Sequence, residues 1–350
     1  MMKIGLVVND IYTEGPDYTT TQLAMAATNL GHEVWYLSVG DFVYAPDERA
    51  LAHARMVPRS RYTAAHVYLD ELKGAKAVTQ RLNFDELDVL MLRNDPAEDV
   101  NKRPWARLAG ISFGRLAIRY GVIVLNDPDG LMRATDKMYL QYFPQEVRPY
   151  TLISRDREEI LQFIKDQGGS AVLKPLTGSK GRNVFLITPE EANINQIIDT
   201  VCADGYVIAQ ERLLEAVKGD VRLFLMNGQP LCCEGKYAAI HRARKQSDGD
   251  IRSNMAVGAV AQKAHINDRM LRLAELIRPK LVRDGMFLVG IDIVGDKLVE
   301  INVFSPGGLI SASKFESINF GREIISALER KVDQVRQYPQ RLGNDEIACL

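Results

Sequence analysis

The stretch GIDIVGDKLVEINVFSPGG, from Gly290 to Gly308, sets two carboxylates and an amide inside two apolar runs. Asp292 sits between Ile291 and Ile293, and Glu300 is followed at alternate spacing by Asn302. Side chains alternate along a strand, so Glu300 and Asn302 share a face. Hard oxygen donors of this kind suit Mg²⁺ rather than Zn²⁺. If the VGDK turn sets Asp292 opposite Glu300, all three converge on one point. That pairing calls for a three-residue loop, Gly295 to Lys297, with a left-handed residue in it; a two-residue turn would pair Asp292 with Val299. A partly exposed acidic hairpin is the plainer reading. Against it, MFLVGIDIV is too apolar for a fully wet face, and a buried carboxylate demands a cation. Magnesium with a nucleotide phosphate meets that demand.

Two other clusters are suited to phosphate. LKPLTGSKGRN holds Lys174, Gly178, Lys180, Gly181 and Arg182. Glycines let backbone N–H groups approach a phosphate, and the cations balance its charge. It is no Walker A loop, because no Gly-Lys-Ser/Thr opens a helix. Alone, it equally describes a hairpin turn with solvated charges. Arg244 and Arg252 bracket a polar segment, with Asn254 and Gly258 beyond. Bidentate arginines of this kind suit a lid over a triphosphate, a solvated loop being the competing reading. His241–Ser253 is expected to be poorly ordered alone and to order around nucleotide plus substrate.

The elements that must position these groups follow from periodicity. Lys3–Val8 reads as a buried strand, TTTQLAMAATNLGHE as a helix and EVWYLSV as the next strand, a parallel βαβ unit. LDVLMLRND and GVIVLNDPD continue the pattern around a helix at Trp105–Tyr120. The loop NDIYTEGPDYT after the first strand lacks G-x-G-x-x-G, which disfavours a dinucleotide but leaves room for a small polar ligand. Further on come helices at Ala134–Phe143 and Glu158–Gln167, the strand pair around the glycine loop, and a hairpin about Asn227-Gly228. Helices Asp268–Arg283 and Phe320–Val332 follow, then a tail without clear pattern. The fold class is α/β, with a doubly wound parallel-sheet domain at 1–126 and a change of texture from Asp127.

Composition excludes several classes. The 350 residues are 46% hydrophobic and 25% charged with a formal net charge of -1, so no global basic field argues for nucleic acid or anionic membrane. No apolar run nears the ~20 residues that span a bilayer. Cys202, Cys232, Cys233 and Cys349 show no zinc-ligand spacing, which implies free thiols in a reducing cytoplasm.

Taken together, these motifs resemble the ATP-grasp carboxylate–amine ligases, and among them the bacterial glutathione synthetases. MLRNDP and LNDPDGLMRATDK resemble that family's N-terminal substrate segment and the entry to its nucleotide domain. VLKPLTGSKG resembles its lysine-plus-glycine-loop strand pair, AQERL its adenine-contacting linker, and GDVRLFLMNGQP the strand pair that follows. RKQSDGDIRSNMAVG matches its mobile loop in spacing, and GIDIVGDKLVEIN with the following SP its metal-binding hairpin. The resemblance implies ATP and Mg²⁺ (or Mn²⁺) as cofactors and amide formation through an acyl phosphate. It also implies the division of the rest of the chain into two α+β subdomains (127–208 and 209–335) and a tail (336–350). Lys137 and Lys174 would then contact phosphates and the adenine edge. Gly178, Ser179, Lys180 and Gly181 would close over the β- and γ-phosphates. Gln210, Glu211, Arg212 and Leu213 would border adenine, and Asp220 the ribose. Arg222, Arg244 and Arg252 would neutralise the transferring phosphoryl group. Arg93, Asn254, Ser305, Pro306, Gly307 and Gly308 would meet the substrates.

Phe304 and Gly307-Gly308 stand where that family usually has threonines. Two readings therefore remain open beside γ-glutamylcysteine plus glycine: a related ligase with another carboxylate and amine, or a regulatory protein that binds ATP without turnover. The expected partners are small molecules, with no nucleic acid and no membrane. The resemblance also suggests a dimer or tetramer of like chains.

Overall fold

The computed structural model describes residues 1–100, 102–178, 182–243, 260–338 and 342–350. The first sheet holds β1 (Lys3–Val8), β2 (Glu33–Ser38), β3 (Phe42–Tyr44), β4 (Ala50–Met56), β5 (Val78–Asn83), β6 (Val89–Leu92) and β7 (Ile123–Leu125). Its order is β3-β4-β2-β1-β6-β7, with β5 paired to β4. β2, β1, β6 and β7 run parallel, as the βαβ pattern requires. Residues 42–83 depart from that pattern. They add antiparallel strands β3 to β5 and a helix at Ala65–Lys73, which makes the sheet mixed.

The second sheet contains β8 (Thr151–Ser154), β9 (Ala171–Pro175), β10 (Phe185–Ile187) and β11 (Val207–Glu211), all antiparallel in the order β10-β9-β11-β8. Helices Arg157–Asp166 and Ile194–Cys202 cover it, and its apolar core is self-contained. Next come β12 (Asp220–Met226), β13 (Gln229–Pro230), a short ribbon of β14 (Cys232–Cys233) and β15 (Lys236–Tyr237), β16 (Ala239–Ala243), β17 (Val260–Lys263), β18 (Leu288–Val294) and β19 (Lys297–Asn302). The third sheet orders them β17-β16-β12-β18-β19, with β13 on β12. The turn between β12 and β13 is Asn227-Gly228, with φ of 54° and 72°, the left-handed pair that a two-residue hairpin favours.

Alternation divides the third sheet. Val221, Leu223, Val289, Ile291 and Ile293 point to one side and are buried with Leu273, Ala274, Ile277 and Leu281 of helix Asp268–Arg283. Phe224, Ile240 and Leu288 point to the other and join a core shared with β1 and with helix Phe320–Gln337. Both of these cores also contain residues of the first sheet. The first and third sheets are thus packed together, while the second keeps a core of its own.

Several local elements differ from the sequence reading. In place of an α-helix at Ala134–Phe143 there is a 3-10 helix at Lys137–Tyr142, started by the side chain of Asp136, which caps it inside the expected run. A short α-helix at Pro128–Arg133, capped by Asp127, precedes it. The tail ends in a helix, Asn344–Cys349, too short for its periodicity to show. Asn344 exchanges hydrogen bonds with the backbone of Val124 at 2.8 and 2.9 Å, and Lys331 Nζ donates to the carbonyl of Leu350 at 2.7 Å. All four cysteines are free thiols, and among the described residues no helix is long and apolar enough to cross a membrane.

Gly219 opens β12 with a φ of 100°, and a Cβ there would lie 2.0 Å from the carbonyl oxygen of Arg242. Gly219→Ala must therefore spread β12 from β16 as well as strain the backbone. Its expected cost is about 1–3 kcal/mol or more, read as a lower denaturant midpoint. An unchanged midpoint would show that the two strands can separate freely here.

Candidate active site

The β18–β19 hairpin is built differently from the sequence expectation, yet reaches the same register. Val294 pairs with Lys297, so the loop has two residues, Gly295 and Asp296, rather than three. Gly295 is the left-handed residue, with φ 61°. A bulge then restores the frame: Ile293 pairs with Leu298, but Asp292 pairs with Glu300, leaving Val299 as the extra residue. Gly290 pairs with Asn302. Asp292, Glu300 and Asn302 thereby share one face, and Asn302 Nδ2 donates to Asp292 Oδ2 at 3.3 Å.

Register carries this polar face across the sheet. Asp292 lies opposite Arg222 of β12, and Asp220 lies opposite Arg242 of β16. Arg222 donates to both oxygens of Asp292, Nε and Nη2 each at 2.7 Å. Arg242 donates to both oxygens of Asp220 at 2.6 and 2.8 Å, and its Nη2 also stands 2.7 Å from Asp292 Oδ2. Asp292 is 1% exposed. Burial pushes its carboxyl up, but Arg222 and then Arg242 outweigh burial and hold it below the usual carboxylate range. For Arg242, burial is outweighed by Asp292 and Asp220, which raise its pKa. The cations that satisfy the buried aspartate are the protein's own guanidinium groups.

A cleft opens beside this face, lined by Lys137, Lys174, Gly178 and Gln210 on one side and by Glu300, Asn302, Phe304 and Ser305 on the other. Lys174 Nζ donates to Gln210 Oε1 at 3.0 Å, and Lys137 Nζ donates to the carbonyl of Gly178 at 2.7 Å. Burial lowers Lys174 to about 8; Lys137 beside it adds to the fall and Glu300 opposes it. Lys137 is lowered as well, by burial against the pull of Glu300. Both lysines therefore hold charge in a site that penalises it, which favours an anionic ligand. Among the described residues, Glu300 makes no ion pair, and no group of three His, Cys, Asp or Glu side chains is placed to hold a metal. The candidate donor set is instead two carboxylates and an amide, with hard oxygens of the type that Mg²⁺ takes.

The other expected site residues lie around this core. Gln210 and Glu211 end β11, and Glu211 Oε1 accepts from the backbone of Tyr150 at 2.7 Å. Arg212 and Leu213 follow in the chain and are not among the residues that line the cleft. Asp220, expected at the ribose, is bonded through both oxygens to Arg242. Arg93 follows β6 and reaches Ser305 Oγ at 3.4 Å. Arg222 Nη1 donates to the carbonyl of Gly307 at 3.4 Å. Pro306 lies over Gly290, where a Cβ would stand 2.7 Å from its ring, and Gly308 has φ 104° at the start of helix Leu309–Glu316. Ser179, Lys180, Gly181, Arg244, Arg252 and Asn254 fall outside the described residues. So does most of the expected lid; its first residues, His241 to Ala243, are strand.

Arg242 is the side chain of this polar face that the sequence reading does not include. Nothing in the spacing of HRAR separates Arg242 from Arg244, and the family resemblance points to Arg244 alone. Val299 gave no signal, because a bulge conceals itself in an otherwise regular alternation.

The chain matches the model of the prokaryotic glutathione synthetase N-terminal domain over residues 2–132 and that of its ATP-grasp domain over residues 136–317. It is 31% identical over 335 residues to the glutathione synthetase of Synechocystis sp., covering 94% of this chain and 100% of that one. To the glutathione synthetase of Gloeobacter violaceus it is 33% identical over 336 residues, covering 93% and 96%. Among solved structures, a D-cycloserine synthetase is similar at a TM-score of 0.61 with 15% identity, covering 93% of this chain and 100% of that one. The ATP-grasp ligase PsnB with its minimal precursor is similar at 0.58 with 17% identity, covering 94% and 99%. These two likenesses show the fold alone.

Removing one arginine tests the buried ladder. Arg242→Met leaves Asp292 with Arg222 alone, and the expected loss is about 3–5 kcal/mol, as for other broken buried pairs. The folded aspartate titrates below its unfolded value of roughly 4. The stabilisation is therefore complete above that pH and fades as pH falls toward about 2. Urea midpoints that match the wild type at pH 7 would contradict the role given to Arg242.

Proposed function

The chain belongs to the prokaryotic glutathione synthetase family of ATP-dependent carbon–nitrogen ligases, and on that premise we propose that it joins γ-glutamylcysteine to glycine. The observation that carries this reading is a cleft with lysines on one wall that make no ion pair among the described residues and, on the other, a carboxylate-bearing sheet face backed by buried arginines. Such a site balances a polyphosphate on one side and a reacting carboxylate on the other. Named relatives aligned over nearly their whole length support the substrate pair.

In this reading residues 1–126 bind the carboxylate substrate, 127–208 cover the nucleotide, and 209–335 carry the reacting groups. Lys137 and Lys174 take the phosphates, and the backbone of Gln210 to Leu213 borders adenine. Asp292, Glu300 and Asn302 would hold a divalent cation, most simply Mg²⁺, which supplies charge neutralisation at the phosphates. Asp220 stays with Arg242 and fixes its fork. Arg222 and Arg242, already aligned by Asp292, lie ready for the oxygens of the transferring phosphoryl group. Arg244 and Arg252 would close from the segment above. The substrate carboxylate attacks the γ-phosphate, giving an acyl phosphate and ADP. The amine then attacks the acyl carbon, and inorganic phosphate leaves as the amide forms. The protein's part is to position charge and to exclude water from the acyl phosphate.

The full chain with ATP, Mg²⁺, γ-glutamylcysteine and glycine is expected to release ADP in step with tripeptide. Lys174→Met should weaken ATP binding by about 1.5–3 kcal/mol, the range for a hydrogen bond to a charged group. ADP release only with another carboxylate and amine overturns the substrate pair and keeps the ligase. Equal ATP affinity in the variant removes Lys174 from the phosphate site.

A further inference from the structure

Open α/β sheets bind ligands at the carboxyl ends of their strands, where the chain's winding switches direction. In the first sheet that point lies at β1, which has β2 on one side and β6 on the other. Two ionisable side chains meet there. Arg93 is the residue after β6, and its backbone N–H donates to Val7 of β1 at 2.8 Å. Glu14 lies in the loop that follows β1.

Among the described residues, neither charge is neutralised by direct contact. Arg93 is 4% exposed, and within that set its guanidinium reaches hydroxyls alone, Thr20 Oγ1 at 3.3 Å and Ser305 Oγ at 3.4 Å. Glu14 Oε2 is buried without a partner among the described residues, as is Thr19 Oγ1 next to Thr20. Glu14 and Arg93 attract each other through space, yet they make no ion pair within 4.0 Å. Lys73, the other cation nearby, donates to the backbone carbonyl of Glu14 at 2.6 Å. A buried guanidinium and a buried carboxylate left separate are costly unless something spans them.

We infer that Glu14 and Arg93 together read a free amino-acid end on the carboxylate substrate, Glu14 taking its ammonium and Arg93 its carboxylate. The inference rests on the ligase reading and adds a specificity residue to it. The geometry runs the right way: Arg93 touches Ser305, and Ser305 lines the cleft with Glu300 and Asn302. A substrate gripped at the switch point thus directs its other end toward the reacting face.

Protonation gives an independent readout. Burial pushes the Glu14 carboxyl up to about 7, against Arg93 and Lys73, which pull it down. The Tyr36 phenol on β2 also faces it. An ammonium beside Glu14 requires the carboxylate form, so binding near pH 7 releases a proton. At higher pH the carboxylate is already formed and the release vanishes.

Calorimetry with γ-glutamylcysteine and with glutarylcysteine, which lacks only the α-amino group, tests this on the full chain without requiring turnover. Wild type is expected to prefer the amino compound by about tenfold or more, the scale of one charge-assisted hydrogen bond. Glu14→Gln should erase most of that preference and the proton release, read from two buffers of different ionisation enthalpy. ATP affinity, unchanged, reports that the variant is folded. A wild type without preference, or a Glu14→Gln variant that keeps it, overturns the inference. ADP release by wild type separately reports on the ligase reading. If another acid supports that release, it and its des-amino counterpart replace the first pair, with the same two outcomes. Binding of neither member of any pair overturns both.

Discussion

A carboxylate buried between three strands needs a cation, and Asp292 has two. Arg222 and Arg242 meet it from β12 and β16, and Asp220 holds Arg242 in turn. This Asp–Arg ladder runs perpendicular to the strands, so it exists only if the β12–β18 and β12–β16 registers are right, and a third register, β18–β19, brings Glu300 and Asn302 to the same face. The bulge at Val299 sets one of them, by returning Glu300 to the rung of Asp292. Gly219 sets another, by letting β12 start against the carbonyl of Arg242. Gly290 leaves room for Pro306 to cross the face next to Arg222. Small residues and one irregularity thus serve a single electrostatic requirement.

The ladder also explains the asymmetry of the cleft. Its arginine wall is internally neutralised and rigid. On the lysine wall, Lys174 belongs to the second sheet, whose core is separate, and among the described residues its hydrogen-bond partner is a neutral amide; Lys137 comes from the 3-10 helix Lys137–Tyr142. An anion entering the cleft stabilises the lysines most, because they have the least to give up. The arginines respond less, since any phosphate must share them with Asp292 and Asp220. Their value lies in orientation: two forks held on one face before the reaction begins.

The acidic hairpin, the lysine strand, the Asn227-Gly228 turn and helix Asp268–Arg283 were readable from spacing, since each repeats a two- or 3.6-residue period. What could not be read was compensation between two local irregularities. A two-residue turn alone would have turned Glu300 away, and the bulge alone would have done the same; together they cancel. Residues 42–83 were also opaque, because strands such as β5 are largely exposed and carry no apolar alternation. Arg242 lay within reach of the two-residue period. Its role is hidden in the sequence because its partners, Asp220 and Asp292, are distant along the chain and meet it through the sheet.

Oxygen transfer decides whether the reacting carboxylate itself takes the γ-phosphoryl group on this face. With the substrate carboxylate labelled in ¹⁸O and unlabelled ATP, one labelled oxygen should appear in the inorganic phosphate released as the amide forms. Unlabelled phosphate, with amide still produced, would contradict activation through an acyl phosphate and the role given to the arginine ladder.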